Sequence, residues 1–323
     1  MSQYIGIDFG ARVTEICVRG RGIVLREPTV AAVDTRGNVI AAGSEALLIA
    51  GRSPGTVTVR RPLSSGSITD FDLTAEILDR FLETAVPKVK KHVIATVKYG
   101  FGSNNRELLV KALTDCRTGK ITLADSASAA LMGSGADISY NRSGEYDGSA
   151  ICDIGASSLE AAYIRNGEIM RICTTLEAGD AADAAIVAYI RRKYGLSITR
   201  QAANEAKHKL DLTPGNESVH TFLGTDGSSG MPRKVQIKTS ELVRPCAPQS
   251  DRVAELLSEL LSNLPHHGEN VSTAGRIILT GGGASIPGIA GYISQKLGRE
   301  VTVAAAPADS VIRGLNMMLE QKR

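Results

Sequence analysis

Apolar and polar residues alternate along this chain with two periods, which predict strands and helices in turn. Period-two alternation predicts strands at residues 4–9, 13–18, 92–97, 121–124, 149–154, 159–165 and 276–280. Helical spacing predicts helices from an N-cap at Asp72 to Pro87, through 108–113, at 181–194, 200–210 and 252–264, and from Pro287. Residues 211–245 are predicted to be a mixed insertion of loops and edge strands. The alternation indicates an α/β fold in which helices cover sheets.

One local pattern occurs twice, about half the chain apart. Residues 5–10 and 151–156 share one design, in which an apolar strand ends in Asp-x-Gly and leads into a second strand. Such self-similarity predicts two related lobes. We expect the first lobe at 1–148, with a small inserted subdomain at 32–66, and the second at 149–323, with an insertion at 182–245. A C-terminal helix at 308–323 is expected to pack back on the first lobe.

The two Asp-x-Gly turns are candidates for binding a polyphosphate. Glycine lets the backbone approach a ligand closely, and the small residues 156–158 leave N–H groups accessible to phosphate oxygens. A carboxylate beside a phosphate requires a cation between them, so Asp8 and Asp153 suit water-mediated contacts to Mg²⁺. The alternative is that each aspartate only caps its own turn. The repetition favours the ligand interpretation, and it predicts that Asp8 and Asp153 face each other across a cleft.

A third glycine-rich segment follows a buried strand and precedes a helix. Residues 281–283 are consecutive glycines, whose bare backbone could pack against a nucleoside. The segment is not a Walker A motif, because no Gly-Lys-Ser or Gly-Lys-Thr follows, and it lacks the dinucleotide Gly-x-Gly-x-x-Gly spacing. It therefore supports a nucleotide site only together with the two Asp-x-Gly turns.

Composition narrows the class of protein. The 323 residues suit two lobes, and 43% hydrophobic with 22% charged residues is ordinary for a globular protein. A net charge of +3, with short basic clusters at 88–91 and 191–193, does not form the footprint of a nucleic-acid binder. The five cysteines have no metal-ligand or redox spacing and are expected to be small buried residues in a reducing cytoplasm. No signal peptide or membrane-spanning segment is expected.

With these three motifs in order, the chain resembles the actin, sugar-kinase and heat-shock-chaperone ATPase superfamily, and within it the MreB family of bacterial cell-shape actins. Beyond the nucleotide motifs, the resemblance includes residues 21–30, 51–55, 70–72, 178–180 and 189–194. Residues 22–30 make no obvious nucleotide contact and therefore point to MreB in particular. The resemblance runs nearly end to end. It implies an actin-like (ribonuclease H-like) duplicated two-lobed α/β fold with a nucleotide cleft that closes on ATP or GTP with Mg²⁺.

Position by position, the resemblance implies a binding site made of four segments. They are a first phosphate loop with Asp8, Gly10, Ala11, Arg12 and Val13; a second with Asp153, Gly155, Ala156, Ser157 and Ser158; a ribose-side helix with Asn204, Glu205, Ala206 and Lys207; and an adenosine loop with Gly281, Gly282, Gly283, Ala284 and Ser285. Asp8 and Asp153 would hold the metal through water.

Several of these positions depart from the family pattern. Residues 11–13 replace Thr-Ala-Asn, residues 155–159 replace Gly-Gly-Gly-Thr-Thr and so put side chains at Ala156 and Ser157, and Asn204 replaces a ribose-binding glutamate. Asp125 stands where the family has the glutamate that orients the attacking water, and it is one methylene shorter. Because hydrolysis depends on near-attack geometry, nucleotide binding could persist while turnover is impaired, leaving at most a weak ATPase.

The resemblance implies a cytoplasmic cell-shape protein that forms or modifies filaments guiding cell-wall synthesis. Expected partners are copies of itself, other MreB-type proteins and the cell-wall synthesis machinery, with no nucleic acid. A non-hydrolysing actin-fold scaffold and, less favoured, a small-molecule kinase are the alternatives. Only four residues precede Ile5, so an N-terminal membrane helix is not expected, and weak contact with the inner membrane face through residues 85–91 stays open. Residues 52–55 are a candidate subunit contact or an ordinary turn.

Overall fold

The computed structural model describes residues 2–52, 55–64, 66–87, 89–136, 148–213, 215–262, 264 and 275–321. The chain divides into two compact units, which are Met1–Ala136 together with Asp309–Arg323, and Asp137–Ala308. Most of the loop predicted at 138–148, the middle of the candidate contact at 52–55, and Lys88 of the candidate membrane loop lie outside the described residues.

The first unit is built on a five-stranded sheet. Its elements from the N-terminus are β1 (Gln3–Phe9), β2 (Val13–Val18), β3 (Gly22–Pro28), β4 (Ala31–Asp34), β5 (Val39–Ala42), α1 (Gly43–Arg52), β6 (Val57–Arg60), β7 (Leu63–Ser64), β8 (Ser67–Ile68), α2 (Phe71–Ala85), β9 (Lys91–Val97), α3 (Gly102–Asp115), β10 (Ile121–Asp125) and α4 (Ser126–Gly133). The main sheet has the order β10-β9-β1-β2-β3, and β5-β4-β6 form a separate small sheet. Helix α2 covers the main sheet with a buried stripe of Leu73, Ile77, Leu78, Phe81 and Leu82, whose spacing is that of one helix face.

The second unit repeats this sheet. Its elements are β11 (Ser149–Ile154), β12 (Leu159–Arg165), β13 (Glu168–Thr175), α5 (Gly179–Tyr194), β14 (Leu196–Ser197), α6 (Arg200–His208), β15 (Val219–Asp226), β16 (Pro232–Lys238), α7 (Thr239–Ser262), β17 (Ile277–Thr280), α8 (Ile289–Leu297) and β18 (Val301–Val303). The main sheet has the order β13-β12-β11-β17-β18, and β14-β15-β16 form a smaller one.

The two five-stranded sheets have the same topology. In each, three antiparallel strands from one hairpin-connected run (β3-β2-β1 and β13-β12-β11) continue into two parallel strands (β9-β10 and β17-β18). The duplication predicted from the two Asp-x-Gly segments is therefore present in the strand order itself.

The last helix, α9 (Ser310–Gln321), belongs to the first unit and crosses α4 at very short range. A Cβ atom added at Gly133 would overlap the carbonyl oxygen of Ser310, and one added at Gly314 would overlap that of Ala129. The two glycines allow the helix backbones to touch, which no larger residue would permit.

Two predicted boundaries are wrong. The N-cap of α2 is Asp70, whose carboxylate accepts a hydrogen bond from Leu73 N, and Asp72 lies in the first turn. Residues 239–251 are helical, although they were predicted partly as loops and edge strands, because α7 continues through Pro245 and Pro248. Its apolar face packs against α5, α8, β12 and β13, and this tertiary contact outweighs the cost of proline within a helix.

Burial limits which side chains of the loop after α2 could contact a membrane. Val86 is 1% exposed and Lys91 is 4% exposed, and the Lys91 ammonium lies 2.9 Å from a Glu83 carboxylate oxygen. Neither side chain is positioned to enter a bilayer, which leaves Val89 as the one partly exposed valine of this segment. All five cysteines are buried with free thiols, as predicted. Among the described helices, none has the length and apolar content required to cross a membrane.

Candidate functional site

Asp8 lies at the carboxyl end of β1, beside two other polar residues in the same sheet. On one side its Oδ1 accepts a hydrogen bond of 2.8 Å from Thr96 Oγ1 of β9. On the other side it pairs across the antiparallel ladder with Glu15 of β2. The carboxyl ends of parallel strands are where α/β sheets bind ligands, so Asp8 occupies a position suited to a metal-associated carboxylate.

The turn from Gly10 to Val13 is tight and leaves the backbone N–H of Ala11 available to a ligand. Gly10 N donates to Val13 O at 3.1 Å, and a Cβ at Gly10 would lie 2.6 Å from that same oxygen, so only glycine fits. Arg61 donates to Ala11 O at 3.2 Å, and Thr29 N donates to Arg12 O at 2.9 Å, which fixes the turn from its carbonyl side. The N–H of Ala11 has no acceptor among the described residues and can face a phosphate.

Asp125 ends β10 on the same sheet edge as Asp8. It pairs with Val97 of β9, so one strand separates it from β1, a lateral spacing of about 10 Å. Its side chain is exposed and, although Asp125 precedes α4, makes no capping hydrogen bond to that helix. The carboxylate is thus not committed to a structural role at the helix start.

The second Asp-x-Gly turn is closed by its own backbone. Asp153 is buried at 6% exposure, and Gly155 N donates to Ser158 O at 3.1 Å. The first residues of α5 rest on this loop, since Gly179 N donates to Gly155 O at 3.1 Å and Asp180 N to Ala156 O at 2.7 Å. The N–H groups of Ala156 and Ser157 take part in none of the hydrogen bonds between described residues. They are donors held in place without an acceptor.

The three-glycine segment packs directly on that loop. Gly281 has φ of +82°, a conformation that favours glycine, and a Cβ there would lie 2.5 Å from Asp153 Oδ1 and 2.6 Å from Ile154 O. Residues 282–285 then form a single 3₁₀ turn, in which Gly282 and Ser285 are exposed while Gly283 and Ala284 are buried. The second unit therefore brings together the phosphate loop and the adenosine loop predicted from sequence, as a patch of bare backbone beside a carboxylate.

The predicted ribose-side helix is α6, and its four residues differ in their surroundings. Lys207 is 2% exposed, with its Nζ 2.7 Å from Asp183 Oδ1 and 2.8 Å from Gly179 O. Asn204 lies on the same side, with Nδ2 at 3.5 Å from Asp183 Oδ1. Glu205 is exposed and accepts from Gln201, whereas Ala206 is buried in the core between α5, α6 and β15. Lys207 therefore lies directly beneath the start of α5 that supports the second phosphate loop.

Sequence reasoning missed the glutamates that accompany both aspartates. Glu160 pairs with Asp153 across β11 and β12 just as Glu15 pairs with Asp8, and each follows its aspartate by the same interval in the chain. The equal spacing of aspartate and glutamate in the two segments was the sequence signal that could have identified these glutamates. Burial raises the pKa of the Glu15 carboxyl to about 7, with a further increase from the charge of Asp8, while Arg26 opposes the shift.

Arg26 links this row of polar residues to the last helix. Its guanidinium lies 2.7 Å from Glu15 Oε1 and 2.5 Å from Asp309 Oδ1, immediately before α9. Within the described ranges, no group of three or more histidine, cysteine or acidic side chains is placed to hold a metal ion directly.

Comparison with known proteins accounts for the whole chain. A sequence model of the MreB/Mbl protein family matches residues 2–323. The cell shape-determining protein Mbl of Bacillus subtilis is 30% identical over 323 residues, covering 98% of this chain and 95% of that protein. The cell shape-determining protein MreB of Escherichia coli is 30% identical over 331 residues, covering 99% and 94%.

Solved structures agree with the family. MreB5 of Spiroplasma citri bound to ADP superposes with a TM-score of 0.89 at 25% identity, covering 98% of this chain and 96% of that one. MamK in its double helical filament superposes with a TM-score of 0.82 at 19% identity over the full length of both chains, which bears on the fold alone. The chain has the actin-like fold and belongs to the MreB/Mbl family of cell shape-determining cytoskeletal proteins.

Proposed function

We propose that this chain is a cell-shape protein that binds ATP with Mg²⁺ and assembles into actin-like filaments. The observation that carries the nucleotide part is the contact of Gly281 with Asp153 and Ile154, which joins a phosphate loop and a flat glycine surface at the carboxyl ends of β11 and β17. Bare backbone whose N–H groups have no acceptor among the described residues suits phosphate oxygens, and the carboxylate beside it suits the cation of a phosphate.

The residues present also fit a hydrated Mg²⁺. The cation prefers oxygen ligands and keeps several of its waters, so single carboxylates such as Asp8 and Asp153 are sufficient to hold it through water. Its contribution would be to neutralise phosphate charge. In the first unit, the N–H group of Ala11 would donate to phosphate and Asp125 would orient the attacking water. In the second unit, the N–H groups of Ala156 and Ser157 would donate to phosphate.

Similarity to the MreB/Mbl family supports self-association and a cytoplasmic location for this protein. MamK, which shares the fold, has been solved as a double helical filament. We place the protein in the cytoplasm, with other MreB-type proteins and the cell-wall synthesis machinery as partners. Contact with the inner membrane face would rest on Val89 and Lys90, since Val86 and Lys91 are buried.

A titration with a fluorescent ATP analogue, with and without Mg²⁺, tests the nucleotide proposal. Asp153→Asn should weaken binding in the presence of Mg²⁺ and have less effect in EDTA, because the lost charge acts on the cation. Asp72→Asn is a matched control, since Asp72 is an exposed aspartate in the first turn of α2. Equal binding of ATP by both variants at every Mg²⁺ concentration would contradict the assigned site. Competition between ATP and GTP for the same site measures which of the two nucleotides the protein prefers.

A scaffold that binds nucleotide without hydrolysing it is the second candidate. It is favoured by Asp125, whose carboxylate reaches less far than a glutamate from the same backbone position. Single-turnover measurement of phosphate release separates the two functions, because only a hydrolysing filament protein converts bound ATP at a measurable rate.

A further inference from the structure

The outer face of α5 is a surface that the nucleotide site does not use. Ala184, Val187, Ala188, Arg191 and Arg192 follow one another at helical spacing and lie on one side of this helix. Together with Arg200, the first residue of α6, they line a groove of about 590 Å³ within the second unit. The groove has an apolar floor of small residues, an arginine rim and no carboxylate in its lining.

None of the three arginine side chains forms a hydrogen bond or ion pair with a described residue. Their neighbour Lys193 shows the contrast, since its ammonium contacts Glu241 and lies over the rings of Tyr189 and Tyr194. Guanidinium groups are suited to paired hydrogen bonds with carboxylates, and here three of them point to one groove without such a partner.

Helix electrostatics explains part of this cluster but not all of it. Arg191 and Arg192 lie in the last turn of α5, where positive charge is favourable. Arg200 lies in the first turn of α6, which contains no acidic residue and where a positive charge is unfavourable. Its position therefore does not stabilise the helix that carries it.

We propose that this groove binds an acidic peptide segment of a partner protein. Two or more carboxylates of the segment pair with Arg191, Arg192 and Arg200, and an apolar side chain between them rests on Ala184, Val187 and Ala188. A free phosphate or sulfate would use the arginines but leave the apolar floor uncovered. The combination of floor and rim thus selects a ligand that is both acidic and apolar.

The test measures fluorescence anisotropy of a short labelled peptide that alternates acidic residues with leucines, added to the full-length protein. Arg200→Ala and Arg191→Ala should each weaken binding about tenfold, and the affinity should fall with added salt. Arg313→Ala is the matched control, because Arg313 is an exposed arginine of α9 in the other unit and its loss should change nothing. Ala188→Tyr retains every charge but fills the groove, and should abolish binding.

Two control peptides and one vesicle experiment complete the design. A peptide with glutamine and asparagine in place of the acids should not bind, and one with glycine in place of leucine should bind about tenfold more weakly. Equal binding of the glycine peptide, or binding that survives Ala188→Tyr, would show a simple anion surface and overturn the proposal. So would phosphatidylglycerol vesicles that bind the parent, lose binding on Arg200→Ala and are not displaced by the peptide. Thermal unfolding of each variant confirms that the fold is intact.

Discussion

The ammonium of Lys207 lies 2.7 Å from the carboxylate of Asp183, and both side chains are almost completely buried within the second unit. Lys207 also donates to Gly179 O, at the start of the helix that supports the phosphate loop. The family resemblance assigns Lys207 to the ribose side of the site, and the same side chain also forms a buried ion pair with Asp183. Its removal should affect stability as well as ligand affinity.

Lys207→Met should destabilise the protein by about 3–5 kcal/mol, because it leaves the buried Asp183 carboxylate without the cation that neutralises it. Asp183→Asn combined with Lys207→Met should recover a large part of that loss, since neither charge then remains. Urea unfolding of the single and double variants measures the difference. Lys296→Met, which breaks an exposed pair with Asp251, serves as the control and should cost much less. Equal losses in the buried and exposed pairs would contradict this account.

The close crossing of α4 and α9 leads to a second prediction. Gly314→Ala should destabilise the protein by about 3 kcal/mol or more, because the new Cβ overlaps Ala129 O and the helices must separate. Gly291→Ala is the control, since Gly291 lies in α8 with open space at its Cβ and should be stabilised by about 0.5–1 kcal/mol. Thermal unfolding of both variants decides, and a Gly314→Ala protein as stable as Gly291→Ala would show that the helices can move apart freely.

The sequence was sufficient for features that depend on local pattern. The hairpins at Asp8 and Asp153 and the turn at Gly281 follow from strand periodicity, from glycine and from repetition, and these are properties of short segments. The helical start of α7 was missed, because Pro245 and Pro248 are helix breakers unless a packed face compensates. Packing of that face against α5 and α8 is not visible in the sequence.

The same distinction applies to the site. The backbone turns at residues 8–10 and 153–155 were predictable because they depend on short segments, whereas the partner of Lys207 was not. Asp183 lies on another helix, and nothing in its own segment distinguishes it from an exposed aspartate. Glu15 was overlooked for the same reason, since its burial results from the strands and the helix around it. Partners distant in sequence become evident only when the chain is folded.

Glu15 should make the stability of the first unit depend on pH. Its carboxyl is 5% exposed, and its pKa is raised from 4.5 to about 7 in the folded protein, where Asp8, Arg26 and Asp309 face it. Between these values the folded protein binds a proton that the unfolded chain has lost. Stability therefore falls as the pH rises from about 4.5 to 7, by about 3 kcal/mol at most.

Glu15→Gln should remove that dependence. The variant should be more stable than the parent at pH 8 and similar to it at pH 5, when unfolding is measured in EDTA without nucleotide. Glu45→Gln, an exposed glutamate of α1, is the control and should follow the parent. A parent protein whose stability rises steadily from pH 5 to 8, with no difference from Glu15→Gln, would show that Glu15 is ionised throughout.

Filament assembly should depend only weakly on nucleotide. A nucleotide biases assembly only through its different affinity for two conformations, and the phosphate loops here carry Arg12 and the small side chains of 156–158 where the family has smaller or hydrogen-bonding residues. Sedimentation should therefore recover similar amounts of polymer, within about twofold, with and without Mg-ATP. Strict dependence on ATP, or a protein that stays monomeric in both conditions, would contradict this prediction.

Asp125→Glu should raise nucleotide turnover about tenfold or more while leaving nucleotide affinity within about twofold. The longer side chain restores carboxylate reach toward water from the end of β10 and leaves both phosphate loops unchanged. An interaction made mainly in the transition state changes turnover rather than ground-state binding. Phosphate release at saturating Mg-ATP gives the rate, and Asp125→Asn, which keeps the size but removes the charge, should show no increase.

Arg12 decides how the result is interpreted, because its guanidinium belongs to the same loop as the predicted phosphate contacts. It could stabilise charge that develops on the transferred phosphate, or hold the carboxylate away from water in an ion pair. Asp125→Glu combined with Arg12→Ala separates the two effects. Further acceleration in the double variant identifies Arg12 as an obstacle, and loss of the gain identifies it as a contributor. If both variants bind ATP and neither exceeds the parent, carboxylate reach does not limit turnover, and the non-hydrolysing scaffold is the better description of this protein.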